Sequence, residues 1–114
     1  MKKIVFMLML VFSAAAFSQT SKELLGKWKL VKQTKNGQVT QPEDTYQVFM
    51  DNNVFQGIAG DKTRKGKWKL SKDNQFLTIS ISVVSVRFKI LYFDADKRTI
   101  SSPELGTLEY EKAN

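Results

Sequence analysis

The sequence predicts a small all-β domain, an antiparallel up-and-down barrel of about eight strands. Three observations carry this expectation. From residue 26 onward, short runs of alternating apolar and polar residues recur roughly every 8–12 residues, the spacing of a sandwich or small barrel. Polar clusters rich in Asn, Asp, Gly and Ser separate the runs. No second long helical period follows the first few residues of the domain, which argues against alternating βα architecture.

Before the strands comes a leader. Met1-Lys2-Lys3 is a short basic start, residues 4–12 are apolar, and Ser13-Ala14-Ala15-Ala16 is a small-residue stretch. Ala16 and Ser18 then form a small-x-small cleavage pattern before Gln19, so residues 1–18 read as a secretory signal peptide and residues 19–114 as the mature domain. The alternative is a membrane anchor, but residues 4–17 fall short of the ~20 needed to span a bilayer as a helix. The expected product is secreted or periplasmic and does not span the membrane. No cysteine follows the run to take a lipid. The chain has no cysteine at all, so packing must stabilise it without disulfides. Its formal charge of +7 falls by two when Lys2 and Lys3 leave, and the remainder favours anionic partners loosely.

Along the mature chain each element has its own signal. Thr20-Ser21-Lys22-Glu23 is a capping-box pattern, and Leu24-Leu25-Gly26 predicts one short helical turn that stops at the glycine. The period then becomes two: Trp28 and Leu30 share one face, Lys27 and Lys29 the other. Asn36-Gly37 marks a tight turn, and Pro42-Glu43-Asp44 a loop. Strands are expected over residues 46–50, 54–59, 63–70, 75–81, 84–93, weakly 99–101, and 106–111. Gly26-Lys27-Trp28-Lys29-Leu30 recurs as Gly66-Lys67-Trp68-Lys69-Leu70. Alternation alone explains this echo, as two strands that each bury a Trp and a Leu.

Leu24-Leu25-Gly26-Lys27-Trp28, a helical turn leading into a first strand with Gly-x-Trp, resembles the start of the lipocalins and wider calycins. Residues 24–81, with Asn36-Gly37, Tyr46-Gln47-Val48-Phe49 and the second Gly-Lys-Trp-Lys-Leu, are similar to small bacterial secreted lipocalin-like domains of unassigned function. The resemblance implies that Trp28 packs under the closed end of a barrel and that Gly26 permits a tight approach. The Thr-Asp-Tyr element of typical lipocalins is absent. Those proteins also lay a late arginine over the tryptophan; only Arg87 and Arg98 come late enough, and neither falls clearly in the last strand.

Chemistry is sparse. Without histidine or cysteine, common zinc sites, thiol nucleophiles and Ser-His-Asp triads are excluded, and no enzyme, metal or cofactor is expected. Glu109 and Glu111 alternate with Leu108 and Tyr110, so both should face solvent rather than oppose each other across a cleft. Asp94-Ala95-Asp96 fails as a calcium loop, because Arg98, Thr99 and Leu105 occupy its fifth, sixth and twelfth positions. Lys27, Lys29, Lys65, Lys67 and Lys69 form a basic face. With the tryptophans opposite them and an export signal upstream, nucleic acid is not the expected partner.

The interior is the remaining question. Expected inward residues are Trp28, Leu30, Val48, Met50, Trp68, Leu70, Leu77, Ile79, Ile81, Val84, Val86, Phe88, Ile90, Leu108 and Tyr110. Residues 54–59 are ambiguous, because Phe55 and Ile58 lie on opposite faces. An eight-stranded barrel is just wide enough to be filled by side chains or to hold one small ligand. The volumes favour a largely packed interior with a shallow pocket at the open end. Tyr46 and Arg64 are the candidates for lining its mouth, with Trp68 as a third ligand-binding candidate. A cover over the core for Tyr46 and a solvated end for Arg64 are the competing readings. Two functions follow: a binding domain for a small apolar or amphipathic ligand, or an envelope module with a packed core whose outer lysines meet an anionic partner.

Overall fold

The computed structural model describes residues 21–113. The leader predicted over residues 1–18 and the capping Thr20 lie outside this range. One helical turn, α1 (Ser21–Leu24), precedes nine strands: β1 (Gly26–Lys35), β2 (Gln38–Thr40), β3 (Thr45–Met50), β4 (Val54–Ala59), β5 (Lys62–Leu70), β6 (Phe76–Ile81), β7 (Val84–Phe93), β8 (Lys97–Ser102) and β9 (Gly106–Ala113). Every pairing is antiparallel. Neighbours run in sequence order from β3 to β9, and β9 returns to pair with β1. With β1 also bound to β3, eight strands close into an up-and-down barrel, the expected lipocalin-like architecture. The short β2 pairs with β1 alone, through an Asn36-Gly37 turn in which both residues have positive φ.

Alternation accounts for most of the interior. Trp28, Leu30, Trp68, Leu77, Ile79, Phe88, Leu108 and Tyr110 are buried as expected. Strand β3 is a correction. Gln47 and Phe49 are buried, whereas Val48 and Met50 are only half-buried. Thr45-Tyr46-Gln47-Val48-Phe49-Met50 carries apolar residues on both faces, so its period could not decide which turns inward. The buried partner of Gln47, Arg98, decides it. Two bulges, between Leu30 and Lys32 on β1 and between Ile90 and Tyr92 on β7, shift the register. They let Gln33 stand opposite Leu108 and bring Phe93 into the core.

The core is lopsided. Leu24, Trp28, Phe49, Leu77, Phe93 and Ile100 are almost wholly buried and cluster toward the end that α1 covers. At the other end lie the β4–β5, β6–β7 and β8–β9 turns. Here Val83 is 95% and Val84 60% exposed.

Candidate functional site

The closed end is built around two tryptophans. Trp28 Nε1 donates to the Leu24 carbonyl at 2.9 Å, which ties α1 beneath the barrel. Trp68 Nε1 donates to the Met50 carbonyl at 3.1 Å, and its ring meets Phe49 edge-on at 5.8 Å. Both indoles of the repeated pentapeptide therefore satisfy a backbone carbonyl while filling the core.

Arg98, from β8, is fully buried among them. Its guanidinium carbon lies 5.0 Å from the Trp28 and Phe49 ring centres and 4.4 Å from that of Tyr110. Nη2 donates to Gln47 Oε1 at 2.7 Å. Nε and Nη1 meet no acceptor among the described residues, and three aromatic faces provide the compensating negative potential. Burial lowers Arg98 to about 10 and raises Tyr110 to about 12, so at neutral pH the arginine is charged and the phenol is not. The arginine that the resemblance leads one to expect over Trp28 is thus present, supplied by the penultimate strand. Residues 99–101 read weakly because Arg98, a charged residue, holds an inward position. Lys112 Nζ also lies 4.6 Å from the Trp28 ring centre and donates to the Leu25 carbonyl at 2.8 Å.

Above this plug the barrel is open. A cavity of about 440 Å³ occupies the upper half, within the range of small-molecule sites. Its wall is mainly apolar: Phe55, Ile79, Ile81, Val86 and Phe88 project inward from β4, β6 and β7. Gln47 and Tyr110 separate it from the Arg98 layer. On β4 the inward positions above Phe55 are Gly57 and Ala59, which face Arg64 and Lys62 across the β4–β5 ladder. These two small residues leave the space that larger ones would fill. No aspartate or glutamate lines the cavity among the described residues.

The three candidate binding residues fare differently. Arg64 lines the cavity near its mouth. Tyr46 borders it, but the odd residues of β3 face inward, and the Tyr46 ring lies on the outer surface, 4.4 Å from Lys27 Nζ. Trp68 does not line the cavity; its ring belongs to the packed layer below. Sequence reading missed Lys62 by assigning it to a turn, and Gly57 because an apolar pattern gives glycine no weight. Glu109 and Glu111 flank buried Leu108 and Tyr110; Glu109 lies 3.8 Å from Lys32 on the outer face. Asp94 closes a turn, its Oδ1 accepting from the amides of Asp96 and Lys97 at 2.8 and 2.7 Å. Among the described residues, no cluster of three or more acidic groups could hold a metal ion.

Two solved structures share this fold. A lipocalin-like protein from Bacteroides uniformis superposes with a TM-score of 0.69 at 18% identity, over 80% of this chain and 99% of that one. An uncharacterized protein from Bacteroides eggerthii gives 0.66 at 16% identity, over 79% and 99%. No protein-family model and no curated protein matches the chain. The likeness is one of fold: the described residues form a lipocalin-like barrel.

Proposed function

We propose that this lipocalin-like barrel is a non-enzymatic binding domain, exported to the periplasm or beyond, that takes one small apolar or amphipathic molecule into its open half. The observation that carries the reading is the cavity of about 440 Å³ above a core that is otherwise packed. An unfilled apolar space forgoes dispersion contacts and burial that larger side chains would supply. Here Gly57 and Ala59 keep it open, and the fold-stabilising aromatics are concentrated elsewhere.

The test is calorimetric titration with decanol, whose chain suits a cavity of this size and whose head carries no charge. Saturable one-to-one binding is expected. Gly57→Leu should weaken it at least tenfold while leaving the fold intact. A Cβ at Gly57 would meet only the Phe55 ring, at 3.4 Å, and the position has ordinary strand geometry. Absence of binding, or binding indifferent to Gly57→Leu, would refute the assignment.

A second reading keeps one specific support. Strands β5, β6 and β7 contain no acidic residue, and Lys65, Lys67, Lys69, Arg87 and Lys89 stand on their outer side. By contrast Lys29 lies opposite Glu111, and Lys32 beside Glu109. An anionic envelope component would meet the β5–β7 side first. Binding to anionic vesicles that weakens with salt and is lost in Lys67→Glu with Lys69→Glu would favour this role.

A further inference from the structure

Resting on the cavity reading above, we infer that the ligand is an anionic amphiphile, with its tail among Phe55, Ile79 and Val86 and its acidic head held at the mouth by Lys62 and Arg64. The register of β5 is the first support. Trp68 is buried, so the even-numbered residues of that strand face inward, and Lys62 and Arg64 follow it toward the mouth. Both line the cavity. The lysines at odd positions, Lys65, Lys67 and Lys69, point the other way.

The second support is charge balance. Two cations border an apolar cavity that has no carboxylate on its wall among the described residues. Neither forms an ion pair there, whereas Lys32 on the outer surface has Glu109. Side chains that only needed solvation could sit on the outer face of the same strand. Placed inward, they raise the potential of the mouth. They attract an acidic head, repel a cationic one and gain nothing from a neutral one.

The third support is the shape of the mouth. Gly57 faces Arg64 and Ala59 faces Lys62, so the cationic side has room for a head group. The opposite lip is apolar, formed by exposed Val84 and Leu105 at the β6–β7 and β8–β9 turns, with Val83 beyond. A molecule lying in the cavity would thus have a polar anchor on one side of its exit and an apolar rim on the other. The cations are solvent-exposed, so each contributes modestly, up to about fivefold in affinity.

The experiment compares decanoate, decanol and decyltrimethylammonium by calorimetry, each below its micelle concentration. The wild-type chain is set against a double variant, Lys62→Gln with Arg64→Gln. Decanoate is expected to bind about tenfold more tightly than decanol, and the cationic amphiphile more weakly than either. The preference should shrink at high salt and vanish in the double variant. Equal binding of decanoate and decanol would overturn the inference and leave the cavity assignment standing. A preference that survives in the double variant would overturn it too, and would point to buried Arg98. Binding of none of the three would refute the cavity assignment, and this inference with it.

Discussion

Gly26 and Gly66 open identical pentapeptides yet are needed for different reasons. Gly26 has a φ of 124°, a region other residues rarely adopt, and a Cβ there would touch only the flexible end of Lys112. Gly66 has ordinary strand geometry, but a Cβ would lie 2.2 Å from the Ser80 carbonyl oxygen on the neighbouring strand. Gly66→Ala must therefore part β5 from β6, at an expected cost of about 2–3 kcal/mol in denaturant unfolding; a neutral result would refute the close approach. Tyr110 offers a test by pH. An unfolded tyrosine titrates near 10, but burial raises Tyr110 to about 12. Below pH 10 both states keep the proton. Between 10 and 12 only the folded state does, so stability declines as pH rises through this window. Phenolate absorbance should show a last-titrating group that Tyr110→Phe removes, beyond Tyr92, which its hydrogen bond to Asp94 also raises. Sequence reading reached Trp28 and Trp68 as core residues because alternation fixes their face. It did not reach the Gln47–Arg98 pair: both are polar, they lie far apart in sequence, and only closure of the barrel brings them together.

At the scale of elements, turns were the most legible feature. Asn36-Gly37, residues 51–53 and residues 94–97 punctuate the chain where the structure turns, because only a few residue types accept positive φ or close an Asx turn. The strand order follows from short connections. What periodicity could not supply was the inward face of β3, where both faces are apolar, and the bulges on β1 and β7, which alternation by itself cannot anticipate. The hairpin of β1 with β2 carries its own prediction. All three residues of β2 are exposed and pair with β1 alone. Replacing Asn36 and Gly37 with alanines should fray β2 at a global cost below about 1 kcal/mol. Hydrogen exchange should quicken at Gln33 and Thr40, a hydrogen-bonded pair of this hairpin, and remain slow at Trp28; a loss of protection throughout the barrel would contradict this.

For the whole molecule the division into two halves matters most. The lower half is filled by Leu24, Trp28, Phe49, Phe93, Arg98 and Ile100, and carries the stability of a chain that has no disulfides. The upper half is held open by Gly57 and Ala59 and walled by Ile79, Ile81 and Val86. The sequence foretold a mostly packed barrel with a shallow pocket. The space is larger than that, because Trp68 belongs to the lower layer and small residues on β4 stand where bulk would have closed it. Methyl-resolved NMR during titration with decanol tests this division most directly. The account predicts saturable shifts at the methyls of Ile79, Ile81, Val86 and Leu105, with those of Leu24 and Ile100 unmoved. Shifts spread through the lower half, or none that saturate, would contradict it.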